Sequence, residues 1–203
     1  KNPLISMPFG ITCRIQVKFT PYINATDNVI DFGAGGGYLL KNIKCSKKIG
    51  IEINDFARDL ASKQGITLYK VIDEVDDNWA DVIISNHALE HVENPLETLR
   101  SLKSKLKIGG KIIIVVPHQT PNEKYVKSDI NQHLYTWNPL TLGNLLQRAG
   151  YKVKSVDVLR HAWPPYYQEL WKLIGEKNFH RLSYLYALYK NSYQIRGIAI
   201  RHD

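Results

Sequence analysis

The sequence predicts an α/β fold built around a doubly wound, mostly parallel β-sheet. Short apolar runs alternate with helical patterns along the chain, and the first of these runs leads straight into a glycine-rich turn. The 203 residues, 44% of them hydrophobic, are enough for one well-cored domain and few for two. We therefore predict a single domain over residues 1–203, with a ligand site where the strands end.

The apolar runs place seven strands along the chain. They are predicted at residues 28–32, 48–53, 66–71, 81–85, 111–116, 152–159 and 193–200. The most apolar run, IIIVV, is far shorter than the roughly 20 residues needed to span a bilayer. It therefore predicts a buried strand, and we expect no membrane span. The carboxyl ends of the strands should share one edge of the sheet, and the loops after them should form the site.

Helical patterns occupy the connections between these strands. One helix follows the glycine-rich turn, and another is predicted at residues 139–149. Between them, Asn94 is a predicted N-cap with Pro95 at the first helical position, and Gly109–Gly110 should end that helix. The apolar face of this helix carries four leucines, Leu96, Leu99, Leu102 and Leu106.

Residues 161–191 form an aromatic-rich stretch between the last two predicted strands. Its spacing of leucine and isoleucine predicts two helices. Its aromatic residues are Trp163, Tyr166, Tyr167, Trp171, Phe179, Tyr184, Tyr186 and Tyr189. We expect this helical insertion to cover the substrate, and a role in packing or in a dimer contact is the alternative.

The composition narrows the partners and the compartment. A net charge of +8 favours an acidic partner, such as a phosphorylated small molecule, nucleic acid or an anionic membrane surface. The lysines are scattered, however, so a generally basic surface is an equally simple explanation. Cys13 and Cys45 have neither metal-ligand spacing nor a disulfide pattern, which predicts a cytoplasmic protein. The chain begins at Lys1, which leaves a longer natural N-terminus open.

The most informative motif is VIDFGAGGG at residues 29–37. Its glycines let the backbone adopt positive φ angles and approach a ligand closely, and a helix N-terminus follows. Asp31 would repel a pyrophosphate but suits a cofactor with a cationic amino-acid end, such as S-adenosylmethionine. Glu52, about 20 residues beyond the loop, could accept hydrogen bonds from both ribose hydroxyls. The alternative is a tight turn in which these acids only cap strands.

Four motifs in order resemble the class I S-adenosylmethionine-dependent methyltransferases: VIDFGAGGG, GIEI, ADVIISNHALEHV and LKIGGKIIIVVP. The resemblance implies a Rossmann-like sheet with an antiparallel last strand, S-adenosylmethionine as cofactor and S-adenosylhomocysteine as product. It also implies the cofactor contacts, which are Asp31 near the amino-acid end, Gly33 and Gly35 against the methionine moiety, Glu52 on the ribose, Ile53 on the adenine, Asp73 near the adenine amino group and Asn86 near the methionine end. Asp76 and Asp77 are alternatives to Asp73.

The loops after the fourth and fifth strands carry the candidate catalytic residues Glu90, His91 and His133. Transfer to a neutral hydroxyl needs a base close to the acceptor, and histidines and carboxylates are the usual ones. In the segment NHALEH, one helical turn would bring His87, Glu90 and His91 to the same side. Further candidates in these loops are His118 and Asp129.

The histidine and glutamate pattern also resembles the small-RNA terminal 2′-O-methyltransferases. In that family a glutamate, a Glu-His pair and a later histidine hold a divalent metal. Here His87 stands in place of the first glutamate, which leaves fewer of the oxygen ligands that magnesium prefers. Many methyltransferases carry LEHV without a metal, so the metal remains an open alternative.

The predicted function is methyl transfer to a small, anionic or sugar-like acceptor. The segments around SNHALEHVENPL, VVPHQTPNE and HLYTWNPLTLGNLLQRAGY resemble bacterial methyltransferases associated with polysaccharide synthesis. This resemblance implies O-methylation of a sugar or a sugar-nucleotide, and an amino-sugar nitrogen is an open alternative acceptor. The competing hypotheses are an RNA 2′-O-methyltransferase and a non-catalytic methyltransferase-like scaffold.

Overall fold

The computed structural model of the chain describes residues 17–118, 124–160 and 162–203. Cys13 and His161 therefore lie outside the described residues. The strands are β1 (Asn28–Phe32), β2 (Lys47–Ile51), β3 (Leu68–Tyr69), β4 (Ala80–Asn86), β5 (Leu106–Pro117), β6 (Tyr151–Leu159) and β7 (Gln194–Arg201). The helices are α1 (Tyr38–Asn42), α2 (Asp55–Ser62), α3 (Pro95–Lys105), α4 (Pro139–Arg148) and α5 (Tyr167–Lys190).

The strands form one seven-stranded sheet in the order β3-β2-β1-β4-β5-β7-β6. β7 runs antiparallel to both of its neighbours, and the other neighbouring pairs are parallel. The predicted fold class, with its antiparallel last strand, is confirmed. The strand order reverses between β1 and β4, and in sheets of this type ligands bind outside the carboxyl ends of the strands at such a point.

Alternating side chains along the central strands build a core on each face of the sheet. Ile30 of β1 and Ile83 of β4 pack on one face with Leu99 of α3. Their chain neighbours Val29 and Val82 point to the other face, as the two-residue period of a strand requires. Both faces are buried, which explains why these strands read as continuous apolar runs. Among the described residues, no helix has the length and apolar character to cross a bilayer.

Helix α3 ends earlier than predicted. Asn94 caps its start by accepting a hydrogen bond from the Glu97 amide, as expected, but the helix stops at Lys105 and not at Gly109–Gly110. Leu106 already has extended backbone and pairs with Ala80 as the first residue of β5. The prediction was wrong because the apolar spacing of Leu106 fits a helix face and a buried strand equally well.

The aromatic-rich insertion contains the break between helices that its sequence predicts. Gly175 interrupts α5 with φ 72° and ψ 169°, a conformation that favours glycine. After the break, Phe179, Ser183 and Ala187 are fully buried at helical spacing, so this half of α5 packs inward along one face. Its role as a cover for the substrate remains a prediction.

Candidate active site

The glycine-rich loop after β1 is held against the end of β2 by main-chain hydrogen bonds. The amides of Gly33 and Ala34 donate to the Ile51 carbonyl over 2.9 and 3.1 Å. Gly33 has φ 76°, and a Cβ atom at this position would lie 2.3 Å from the Cβ of Ala88. Glycine is thus required both by the turn and by the close approach of the segment that follows β4.

Gly35 and Glu52 are joined by a hydrogen bond. The Gly35 amide donates to Glu52 Oε2 over 2.8 Å, and the Asn54 amide donates to Glu52 Oε1 over 2.9 Å. Each carboxylate oxygen has a second lone pair, so Glu52 retains the capacity to accept ribose hydroxyls. Gly35 has φ 52°, and no described atom would lie within 4 Å of a Cβ placed there. The loop is therefore open where a ligand would approach.

Asp31 is buried at the floor of this loop, with only 2% of its surface exposed. Burial, and secondarily the negative charge of Glu52, raises the pKa of its carboxyl group to about 8. A cationic ligand group beside Asp31 would favour the carboxylate and reverse this shift. The site therefore has the electrostatic character that the amino-acid end of S-adenosylmethionine requires.

The remaining predicted cofactor residues follow the same edge of the sheet. Ile53 comes after β2 and is 77% exposed, while Arg58 Nη1 donates to its carbonyl over 2.9 Å. Asp73 is exposed in the short 3-10 segment Ile72–Glu74 after β3. Asn86 is the last residue of β4. Of the two alternatives to Asp73, Asp77 accepts hydrogen bonds from Lys105 and Ser104, which assigns it a structural role.

Lys18 is a residue of the site that the sequence did not reveal. Its Nζ donates to Asn86 Oδ1 over 3.0 Å, and burial lowers the pKa of its ammonium group to about 7. Lys18 comes ten residues before β1, in no recognisable motif. Only the folded chain brings it to the end of β4, so a scan for local patterns could not have found it.

Glu90 is the centre of the predicted catalytic residues. It lies in the 3-10 segment Leu89–His91 and is fully buried. His87 Nδ1 lies 3.4 Å from Glu90 Oε1, while His91 Nε2 and His133 Nε2 each lie 4.0 Å from the same oxygen. Within the described part of the chain, neither carboxylate oxygen of Glu90 has a hydrogen-bond partner. The structure thus surrounds one buried carboxylate, which accepts no hydrogen bond from the described residues, with three imidazoles.

The segment that carries His133 is held next to Glu90 by hydrogen bonds from the two residues that follow it. The amide of the next residue, Leu134, donates to the Glu90 carbonyl over 2.9 Å, and the Tyr135 hydroxyl donates to the Glu93 carbonyl over 2.6 Å. The rings of His91 and His133 meet edge to face with centroids 5.0 Å apart. Burial lowers the pKa of His133, although the Glu90 charge opposes this effect.

The other histidine and acid candidates have different surroundings. We expected His87 to share a helical turn with Glu90, but it lies before the 3-10 segment Leu89–His91. It has φ 54°, and its amide donates to the Val115 carbonyl over 2.8 Å. His118 places Nδ1 2.8 Å from the Trp137 carbonyl and stacks on the Tyr193 ring. Asp129 accepts the amides of two following residues in a turn, Asn131 and Gln132. His118 and Asp129 therefore have clear structural roles.

Residues 11–156 match a protein family described as a methyltransferase domain. Because the match covers more than half of the chain, the protein belongs to this family. Together with the sheet order, this makes it an S-adenosylmethionine-dependent methyltransferase, and the predicted cofactor is confirmed. Asp31, Gly33, Gly35 and Glu52 provide a site that fits this cofactor. The individual residue assignments remain predictions.

Solved structures share this fold at low sequence identity. A SAM-dependent methyltransferase from Archaeoglobus fulgidus superimposes with a TM-score of 0.67 at 19% identity, covering 96% of this chain and 95% of that one. Phosphoethanolamine N-methyltransferase 2 from Haemonchus contortus, in complex with phosphomonomethylethanolamine and S-adenosylhomocysteine, gives 0.65 at 13% identity over 96% and 53%.

One relative is similar at the level of sequence. The uncharacterized protein MJ1123 of Methanocaldococcus jannaschii is 34% identical over 88 residues. That match covers 42% of this chain and 42% of the relative, so it spans less than half of either protein.

Proposed function

We propose that the protein transfers the methyl group of S-adenosylmethionine to a hydroxyl group of a sugar, a sugar-nucleotide or a similar small molecule. The observation that carries this proposal is the buried carboxylate of Glu90, which accepts no hydrogen bond from the described residues and lies among three imidazoles. A hydroxyl acceptor must lose its proton as it is methylated, and this cluster can accept one.

The cluster lies beside the cofactor loop. Ala88, two residues before Glu90, is the residue that a Cβ on Gly33 would strike. The acceptor oxygen would attack the methyl carbon as the bond from that carbon to the sulfonium breaks. The bonding electrons remain on sulfur in S-adenosylhomocysteine, and the acceptor proton passes to the cluster. The enzyme contributes mainly by holding the two reactants in line.

A small acceptor with a phosphate group fits the charge of the chain. The net charge is +8, and Lys18 lies at the end of β4. The structurally similar Haemonchus contortus enzyme was solved with a small phosphorylated compound, which supports an acceptor of this type. The similarity of the motifs to polysaccharide-associated methyltransferases favours a sugar as the group that is methylated.

We expect the aromatic-rich insertion to cover such an acceptor. It leaves the sheet after Leu159 of β6, which pairs with Gln194 of β7, and Gln194 also pairs with Pro117 at the end of β5. The insertion therefore begins at the same edge of the sheet as the loop that carries His133. The rings of Trp163 and Tyr167 meet edge to face at 4.9 Å in this segment, and aromatic faces suit the apolar side of a sugar ring.

The second candidate function is 2′-O-methylation of RNA. It is favoured by the convergence of Glu90, His91 and His133, because the small-RNA terminal methyltransferases use residues of these types in this order. RNA binding would show a steep salt dependence, since lysines that contact phosphates release counterions.

Product formation from a panel of acceptors tests the proposal. The purified chain is incubated with S-adenosylmethionine and free sugars, sugar-nucleotides, phosphoethanolamine or short RNA, and S-adenosylhomocysteine is measured by mass spectrometry. We expect turnover with a hydroxylated sugar compound, reduced roughly 100-fold or more in His133→Ala. His202→Ala is the control, because His202 is exposed near the end of the chain. Transfer to phosphoethanolamine alone, or normal turnover in His133→Ala, contradicts the proposal.

A further inference from the structure

The cluster around Glu90 has a second property besides its capacity to accept a proton. Single ligand atoms of Glu90, His91 and His133 all lie within 4.8 Å of one another. A buried carboxylate without hydrogen-bond donors is costly unless a positive charge is nearby. The imidazole nitrogens of His91 and His133 lie 4.0 Å from Glu90 Oε1, which is beyond hydrogen-bond distance, so the geometry leaves room for a cation between the three side chains.

We propose that Glu90, His91 and His133 bind one divalent transition-metal ion through a carboxylate oxygen and two imidazole nitrogens. The role of this metal in catalysis rests on the proposed function. Metal binding itself can be measured without knowing the acceptor.

The ligand types determine the class of metal. Two imidazoles and one carboxylate suit zinc, manganese, iron, cobalt or nickel, whereas magnesium prefers oxygen ligands and retains several waters. Sites of this type with three protein ligands keep a position open for a further ligand. His87 also faces Glu90 Oε1, but an imidazole offers a nitrogen ligand and not the further oxygen ligand that magnesium would need.

The distances fit a site that closes slightly around a metal. Both imidazole Nε2 atoms are 4.0 Å from Glu90 Oε1, while two ligands on one tetrahedral zinc ion lie about 3.4 Å apart. We expect changes in the side-chain torsions of His91 and His133 to bring the three ligand atoms, which now lie within 4.8 Å of one another, to this spacing. The main-chain bond from Leu134 to Glu90 already fixes the two segments against each other. The His91 side chain is 45% exposed, so an ion can enter on that side.

A metal at this position would lower the pKa of an acceptor hydroxyl group. The hydroxyl could then lose its proton near neutral pH. His87 is not one of the three proposed ligands, and its Nδ1 lies 3.4 Å from Glu90 Oε1, so it would take up that proton.

Titration of the chelator-treated chain tests the metal site directly. Zinc, manganese and magnesium are added separately in calorimetric titrations, and cobalt is followed by its visible absorption. We expect one equivalent of zinc or cobalt to bind per chain, with magnesium weaker. In His133→Ala and Glu90→Gln, the affinity for zinc should fall roughly tenfold or more. His202→Ala should retain the affinity of the original chain.

Two further measurements show whether a negative result comes from a misfolded variant, from the wrong acceptor or from the absence of a metal site. The affinity of each variant for S-adenosylhomocysteine reports whether it is folded, and we expect it to be retained in Glu90→Gln. No stoichiometric binding, equal binding in His133→Ala, or a preference for magnesium would overturn the proposal. Turnover that is insensitive to chelation overturns the metal site but leaves the proposed methyl transfer intact. Stoichiometric metal binding without transfer to any tested acceptor supports the metal site and counts against the acceptor class.

Discussion

The Gly35 amide donates a hydrogen bond to Glu52 Oε2 over 2.8 Å, which joins the glycine-rich loop after β1 to the acid after β2. The two residues therefore act as one unit. The loop is fixed by the same carboxylate that is expected to bind the ribose, so ligand contact and loop geometry depend on one side chain. Glu52 also holds the Asn54 amide, and Asn54 in turn caps helix α2 by accepting from the Ala57 amide.

Glu52→Gln should weaken cofactor binding through this shared role. The glutamine side chain keeps one oxygen acceptor, but its NH₂ group must then face one of the two amide donors that Glu52 satisfies. We expect a loss of about 1–2 kcal/mol in the binding of S-adenosylhomocysteine, measured by calorimetry. Glu52→Ala should lose more. If both variants bind like the original chain, Glu52 does not belong to the cofactor site.

Asp31→Asn should remove the electrostatic partner of the cationic amino-acid end. We expect the affinity for S-adenosylhomocysteine to fall by about 1.5–3 kcal/mol, because a hydrogen bond to a charged group is lost. The control is Asp81→Asn near the start of β4. Asp81 binds Lys107 and the Asn28 amide at the opposite end of the sheet. Equal losses in the two variants would point to a general effect on the fold.

The raised pKa of Asp31 predicts that cofactor binding releases a proton. In the free protein this pKa is about 8, so the carboxyl group is mostly protonated at pH 7. A bound ammonium group favours the carboxylate and lowers the pKa, and the proton must leave. Binding enthalpies at pH 7, compared between buffers of different ionisation enthalpy, should reveal close to one proton released. Asp31→Asn should release none, and release that persists in this variant would assign the proton to another group.

The same pKa predicts how stability changes with pH when no cofactor is bound. The folded pKa of Asp31, about 8, lies above the unfolded value of about 3.9. Between these values the folded chain binds more protons, so the contribution of Asp31 to stability falls as the pH rises from about 4 to 8. Asp31→Asn should lose this decline, and melting temperatures between pH 5 and 8.5 will show it. If the melting temperatures of the two proteins changed with pH in the same way, the predicted pKa of Asp31 would be contradicted.

Gly33→Ala and Gly35→Ala should have different effects, although both residues have positive φ. A methyl group on Gly33 would meet the Cβ of Ala88 at 2.3 Å, so we expect a loss of stability of about 2–4 kcal/mol. At Gly35 the space is open, and the conformational cost is only about 1–2 kcal/mol. The Gly35 variant should instead show reduced cofactor affinity in calorimetry. A matching loss of stability in both variants during chemical unfolding would contradict this distinction.

The sequence predicted the parts of the fold that depend on local patterns. β1 has the predicted bounds, and α4 ends one residue before the predicted end. The limits of β5 were missed because the decisive information is long-range, as the pairing of Leu106 with Ala80 extends the strand toward its start. β3 is reduced to Leu68–Tyr69, since it lies at the sheet edge and, among the described strands, pairs only with β2.

The candidate site shows the same division. Asp31 and Glu52 were predicted because Asp31 lies near the end of one apolar strand and Glu52 directly follows another, at a recognisable distance from the glycine-rich loop. The approach of His133 to Glu90 was expected only from the position of its loop, and no spacing in the sequence gives their 4.0 Å separation. Lys18 was missed because its contact with Asn86 joins residues 68 positions apart.

The main-chain hydrogen bond from Leu134 to Glu90 has an evolutionary consequence. Because a main-chain hydrogen bond holds the two segments together, we expect the side chains at positions 91 and 133 to be exchangeable with little change in the path of the chain. A duplicated gene could therefore acquire a new reaction by a few substitutions here while the cofactor loop stays the same. The geometry that presents the acceptor to the methyl group would be inherited intact.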